Sequence, residues 1–387
     1  MSNTLLTTSA LTLALLMGAC AAEDTGPAPT EDVTSATSYE LELVAEGFDM
    51  PWGVAFLPEG GMLVSERDGR VSYVAPGATS GVEIANAPDA FVAGQGGMFD
   101  VVLDLDFASN RIVYVSYAKG SAEANGTAVY RARLSEDGLT FEDGADIFVV
   151  NDMRATPAHY GGRMLPLPDG TLMLTLGEGF RYMQDAQDPM SDLGTIVRMN
   201  PDGSVPPDNP FADGVDGLPH VWSYGHRNVQ GIVFDEDTGR MYSMEHGPMG
   251  GDEINIEIAG ANYGWPAITY GVNYDGSIIT TQTEAPGMEQ PMLVWVPSIA
   301  PGGLELYTGD VYPDWKGDLF AAALAGSKVQ RVDLNDAGEV VGEEALFEEF
   351  GARFRQIVQG PDGYLYVTTD EIDGGVYRIV PSEQPDI

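Results

Sequence analysis

The sequence predicts an all-β chain folded as a six-bladed β-propeller, and three observations carry that expectation. A polar Gly/Pro/Asp turn followed by a short strand of alternating large residues recurs six times after Tyr39. Several copies are followed by a second strand, as in "GRVSYV", "GTIVRMN", "SKVQRVDL" and "GGVYRIV". No segment sustains the 3.6-residue apolar period of a helix.

The units are "LPEGGMLVSER" from Leu57, "DFASNRIVYVSYA" from Asp106, "LPDGTLMLTLGEG" from Leu167, "FDEDTGRMYSMEHG" from Phe234, "YPDWKGDLFAAAL" from Tyr312 and "GPDGYLYVTTDE" from Gly360. Their turn residues, Gly61, Asn110, Gly170, Gly239, Gly317 and Gly363, are spaced by 46 to 78 residues. The shorter intervals suit one four-stranded blade and the longer ones a blade with an inserted loop. A sandwich or jelly roll does not generate six such similar units. The propeller is expected to occupy residues 39–387 as one catalytic domain.

The N-terminus reads differently. Leu5 to Ala19 is an apolar stretch of signal-peptide length ending in Met-Gly-Ala-Cys, and Cys20 is the only cysteine among 387 residues. Residues 1–20 are therefore expected to be a lipoprotein-type signal, anchored to a membrane through acylated Cys20, with an ordinary secretory signal as the alternative. Either reading exports the body, to the periplasm or outer surface, without a disulfide. Residues 21–38 hold no large apolar residue except Val33 and are expected to form a disordered tether.

The charge balance excludes some partners. Asp and Glu number 59 against 18 Lys and Arg, a formal net charge of −41. Such a surface repels phosphate backbones and anionic lipid, so nucleic acid is not expected as a partner. Cations are scarce enough that an arginine in a glycine-rich turn is expected to have a specific partner.

In propellers the innermost strands converge on a central channel, so residues just before those strands carry the chemistry. Four polar clusters stand there. They are "GQGGMFDVVLD" with Gln95, "HYGGRMLPLPDG" with His159 and Arg163, "YGHRNVQGIVFD" with His226, Arg227, Asn228 and Gln230, and "ARFRQIV" with Arg353 and Arg355. The last pair points to one face because strand side chains alternate. One base, several neutral donors and at least three guanidiniums suit a planar polyanion carrying carboxylates and carbonyls. Dispersed histidines and a lone cysteine speak against a zinc cage. A fifth stretch, "EHGPMGGDEINIEIAGANYGWP", offers backbone carbonyls and Glu253, hard oxygen ligands of the kind calcium takes.

These motifs, with "PSIAPGG" and "RFRQIVQGPDGYLYVTTDE", occur in an order that resembles the soluble quinoprotein aldose, glucose and sorbosone dehydrogenases. The resemblance covers nearly all of residues 40–381. It implies a propeller that binds pyrroloquinoline quinone (PQQ) with Ca2+ and oxidises an aldose at its anomeric carbon, passing electrons to an external acceptor. By motif, His159 matches the general base and Arg227 acts beside it. Gln95, Arg227, Asn228 and Ser298 match cofactor and substrate contacts, and Arg353 and Arg355 match residues holding the quinone carboxylates. The carbonyls of Gly247 and Pro248 match ligands of the calcium that bridges protein and quinone, and Glu253 and Tyr263 match a second calcium site. Gly161 and Gly162 are expected to let the backbone pass beneath a flat cofactor. Three departures, Ala158, Ala325 (with Lys328 three residues on) and Val296 (beside Trp295), set the chain closer to the broad aldose branch than to the glucose branch. Two other readings stay open at this point: a calcium-dependent propeller hydrolase of lactones or phosphoesters, and a binding propeller without catalysis.

Overall fold

The computed structural model describes residues 30–382; the expected signal at 1–20 lies outside them. Each of the six turn residues joins the innermost strand of a four-stranded antiparallel sheet to the second strand, and the six sheets form a ring. The innermost strands of blades 1 to 6 are Pro51–Phe56, Met98–Leu103, Met164–Pro166, Val229–Asp235, Pro301–Leu306 and Phe354–Gln359. Second strands such as Leu172–Thr175 and Leu319–Ala323 are buried at every position. They read as continuous apolar runs because neighbouring blades cover both faces.

Blade 6 closes the ring. Its outermost strand is Tyr39–Asp49, from the start of the propeller, paired antiparallel with Ile372–Pro381 from its end; Tyr39 stands opposite Pro381. The ends of the chain are thus hydrogen-bonded into one sheet, and no blade is left with a missing strand.

The tether expectation needs correction for the part the structure describes. Residues 30–38 run along blade 5, where Glu31–Asp32 pairs in parallel with Gly342 and Glu343 as a fifth strand. Ser35 donates from its backbone N–H to Glu344 Oε1 at 2.7 Å and accepts from Trp315 Nε1 at 2.7 Å. The composition argument asked only whether the segment could bury apolar side chains. An outer strand such as Val340–Leu346 instead offers unpaired backbone groups, which a polar extended segment satisfies through its own main chain.

All six inner strands meet at one side chain. Arg163, directly before the blade 3 strand, is 3% exposed. Its Nε donates to the Gln230 carbonyl of blade 4 at 2.8 Å. Nη2 donates to the carbonyls of Gly302 in blade 5 (2.6 Å) and Arg355 in blade 6 (3.0 Å). Its guanidinium lies 3.8 Å from the centre of the Trp52 ring of blade 1, and Nη1 stands 3.6 Å from Asp100 Oδ1 of blade 2. Arg163 therefore belongs to a salt bridge within the propeller, and it forms the floor beneath the upper channel.

Burial pulls the Arg163 guanidinium down to about 10, with Asp100 opposing the shift, so it stays charged at neutral pH. Arg163→Met leaves Asp100 as an uncompensated buried charge and is expected to lower stability by about 3–5 kcal/mol in urea unfolding. Adding Asp100→Asn should recover part of that loss. A single variant that unfolds at the parent's urea concentration would remove Arg163 from this role.

Candidate active site

Above Arg163 the channel opens into a cavity of about 450 Å³. Its lining brings together Gln95, His159, Arg227, Pro248, Ser298, Arg353 and Arg355 from blades 2 to 6. Of the chain's 18 cations, Arg67, Arg227, Arg353 and Arg355 line this one space, and Asp370 is the only carboxylate among the described residues lining it. The cavity is locally cationic inside a strongly anionic protein, which suits an anionic ligand.

His159 sits where the chain enters blade 3, 4% exposed and in the left-handed region at φ 52°. Its backbone N–H donates to Gln95 Oε1 at 2.7 Å, and its carbonyl accepts from Arg154 Nη2 at 2.8 Å. Nδ1 lies 2.8 Å from Glu178 Oε1, which leaves Nε2 for the cavity. Burial, reinforced by Arg227 and Arg154, holds the imidazole well below the usual histidine range, so it is neutral and can accept a proton. Burial also pushes Glu178 up to about 7, with Arg227 opposing.

The glycines after His159 are required by packing. At Gly161 (φ 67°) a Cβ would lie 2.4 Å from the Thr175 carbonyl oxygen, and at Gly162 (φ 99°) it would lie 2.9 Å from the Phe99 ring. Close packing of the inner strand against its neighbours excludes side chains here, and Gly161 also lines the cavity.

Arg227 donates from Nη1 to the Gly247 carbonyl at 2.7 Å, and its backbone N–H donates to Glu245 Oε2 at 2.6 Å. Its Nε is buried with no partner. Arg353 and Arg355 share Asp370, donating to its two oxygens at 3.2 to 3.4 Å. Despite burial, Arg355 and Arg353 hold that carboxylate below its ordinary value. Arg355 also donates to Gln230 Oε1 at 3.2 Å and faces the channel, while Arg353 lines the same cavity with its side chain half exposed. Ser298 donates to Asp252 Oδ2 at 2.7 Å and fixes the loop before blade 5.

Asn228, expected to touch a cofactor, is placed elsewhere. Its carboxamide oxygen accepts from Gly161 N–H at 3.0 Å, and it is absent from the cavity lining. It joins blade 4 to blade 3 from below. His226 is likewise turned away, with Nδ1 2.9 Å from Glu245 Oε1 and its ring stacked on Tyr263 at 4.5 Å. His246 lines the cavity instead. Ala325 is in the lining, whereas Lys328 is not, and Trp295 is 7% exposed with Nε1 donating to Glu343. Neither Lys328 nor Trp295 substitutes for the side chain absent beside it.

The expected metal ligands divide between two places. Pro248 is in the wall of the main cavity, while Gly247, Glu253 and Tyr263 border a small adjoining recess with Glu245. Tyr263 donates its hydroxyl to the Ile256 carbonyl at 2.7 Å and accepts from Ile258 N–H. No group of three or more His, Cys, Asp or Glu side chains able to hold a metal occurs among the described residues. A cation here would depend on backbone carbonyls.

Glu178, Glu245 and Asp370 were missed from sequence, yet they share a visible signal. In four of the six repeats an acid stands at the end of the second strand or within three residues beyond it, as in "SER", "GEG", "MEHG" and "TTDE". That position lies across the hairpin from the entry to the inner strand, so each acid takes an entering donor: Glu66 the Asp49 N–H, Glu178 His159, Glu245 His226, and Asp370 the arginine pair.

Fold and cavity define a six-bladed propeller with a cationic cavity in its central channel. The family model for Glucose / Sorbosone dehydrogenase matches residues 48–378, and the chain belongs to that family. It is 38% identical over 349 residues to the aldose sugar dehydrogenase YliI of Escherichia coli K12, covering 89% of this chain and 93% of that protein. The apo crystal structure of the soluble E. coli aldose sugar dehydrogenase matches with a TM-score of 0.86 at 37% identity, over 89% of this chain and 100% of that one. The PQQ-bound aldose sugar dehydrogenase of Streptomyces coelicolor matches with a TM-score of 0.72 at 27% identity, over 90% and 100%.

The buried His159–Glu178 pair makes a direct spectroscopic expectation. At about pH 6 the ring nitrogens of His159 should report a neutral imidazole in 15N NMR, because its own protonation lies well below the usual value of about 6.5, and the ring proton should move from Nε2 to Nδ1 as Glu178 ionises above about 7. An imidazolium signal at that pH would contradict the arrangement.

Proposed function

We propose that this protein oxidises aldose sugars at the anomeric carbon with PQQ and calcium bound in the central cavity. The observation that carries the reading is a neutral, oriented imidazole set among converging arginines in a chain of net charge −41. The residues fit both groups. Arg227 Nε is buried and unpartnered, as expected of a donor awaiting an anion. Glu253 is pushed well above the ordinary carboxylate range by burial and by Glu245 beside it, a repulsion that a cation relieves.

In this reading Arg353, Arg355 and Gln95 hold the cofactor's polar edge. The carbonyls of Gly247 and Pro248 would supply oxygen ligands to a calcium, and Glu253 with the Tyr263 carbonyl would hold a second cation. When bound, the quinone supplies a two-electron acceptor, and calcium supplies a Lewis acid at its carbonyl. His159 Nε2 takes the proton of the anomeric hydroxyl. Glu178 holds the ring by accepting Nδ1–H and stabilises the imidazolium that forms. Arg227 stabilises negative charge developing in the cavity. Electrons leave to an external acceptor. Export with a lipid anchor on Cys20 belongs to the same proposal, supported by the apolar stretch that precedes that cysteine.

The test is reconstitution with PQQ and calcium followed by aldose-dependent dye reduction. His159→Ala should lose about 10²–10⁴-fold in turnover with PQQ affinity nearly unchanged. Turnover of lactones or phosphoesters without quinone, or inertness in both assays, would replace the proposal.

The pH dependence follows from the pair. Protonating Glu178 makes it donate to Nδ1 and moves the ring proton to Nε2, which removes the base. Activity should therefore fall as pH drops through about 7. Glu178→Gln should abolish that limb in the pH profile of kcat/KM; its persistence would mean another group titrates.

Binding makes a further expectation. Hydrogen bonds to charged groups contribute about 1.5–3 kcal/mol, so Arg355→Ala should weaken PQQ binding roughly 10- to 150-fold. A chelator in excess should prevent reconstitution and lower Tm. Unchanged affinity in the variant, or full activity in the chelator, would remove the corresponding contact.

A further inference from the structure

Beside the cavity stands an aromatic pair for which the chemistry above has no use, Tyr274 in the lining and Phe180 just outside it against the His159 ring. Phe180 lies two residues beyond Glu178, and its ring meets the His159 ring edge-on, with centroids 5.2 Å apart at 88°. Tyr274 comes from the long loop between the third and fourth strands of blade 4 and lines the cavity. Arg227 Nη2 lies 3.5 Å from its hydroxyl, and the guanidinium lies 5.9 Å from its ring centre. The two aromatic rings stand 6.4 Å apart and 30° from parallel. Together they reach from the base to the guanidinium.

Two features separate this pair from scattered surface apolar residues. Phe180 is 43% and Tyr274 62% exposed, although rings of this size are ordinarily mostly buried. Phe180 also sits at φ 65°, a conformation costly for a bulky side chain. Its turn is held by Arg181 N–H on the Gly179 carbonyl at 2.8 Å and by Thr156 Oγ1 on the same carbonyl at 2.7 Å. The backbone is thus constrained in a way that keeps a phenyl ring beside the cavity.

We propose that Phe180 and Tyr274 form the platform on which the aldose lies and by which it is selected. The proposal rests on the aldose-oxidation reading above. A pyranose carries hydroxyls around its edge and a patch of C–H groups on its face. His159, Arg227 and Gln95 supply polar partners for the edge, and the aromatic pair supplies the apolar surface that the C–H face requires. The edge-on contact of Phe180 with the base sets a ring on this platform beside His159 Nε2. An electron acceptor docking on the rim needs no such contact.

The experiment uses the full chain reconstituted with PQQ and calcium. Phe180→Ala and Tyr274→Ala should keep the parent's PQQ affinity in titration. Reduction of each holoenzyme by glucose is then followed by rapid mixing with no acceptor present. The half-saturating sugar concentration should rise about tenfold in each variant, as expected for losing one apolar face. The limiting reduction rate should stay within about threefold, because the base is untouched. Phe180→Tyr and Tyr274→Phe keep the rings and should bind sugar as the parent does. Unchanged sugar saturation in both alanine variants overturns the platform. A defect confined to reoxidation by an acceptor also overturns it and assigns the rim to the oxidant. A parent holoenzyme that no aldose reduces overturns the functional reading itself, and the platform with it.

Discussion

The structure depends on a single buried cation. Arg163 is the one side chain that touches the inner strands of all five other blades, through three carbonyls, an aromatic face and a carboxylate. A propeller channel is lined by strands whose inward carbonyls need partners, and a guanidinium with donors in one plane can satisfy several at once. Three of its partners, Trp52, Gln230 and Arg355, line the cavity, while Arg163 itself lines a second cavity of the channel. Gln230, which receives Arg163 on its backbone, carries Arg355 on its side chain, so the floor and the wall of the site are one hydrogen-bonded unit.

On this floor the site is assembled by a rule repeated around the ring. The inner hairpin of a blade sets the residue entering the first strand opposite the residue leaving the second. Where the latter is an acid, the former is held. In blade 3 this orients the His159 imidazole, and in blade 4 it fixes the backbone of Arg227. In blade 6 it gathers two guanidiniums that would otherwise repel one another. Function is thus distributed among blades while each element is positioned by contacts local to its own hairpin.

Charge explains why so few cations suffice. Most acidic residues lie outside the core, where dissolved salt screens them within about 8–10 Å. Four arginines concentrated in one partly enclosed cavity act at short range and low dielectric. Local concentration of charge decides what the cavity attracts, and net charge decides what the rest of the surface repels.

The sequence alone determined what is local in the chain. Turn residues at blade-like intervals specified the ring of sheets, and the positions just before inner strands marked Gln95, His159, Arg227 and the Arg353–Arg355 pair, because hairpin geometry follows from short-range pattern. The acids opposite them were written in the same repeats and went unread. Tertiary structure decided whatever depends on how blades face each other. It turned Asn228 toward the backbone of blade 3, buried His226 and put His246 in the lining, and it drew residues 30–38 onto the edge of blade 5. The partners of Arg163 lie up to 192 residues away and are adjacent only once Tyr39–Asp49 has paired with Ile372–Pro381. No sequence spacing encodes that adjacency, since it arises from closure of the ring.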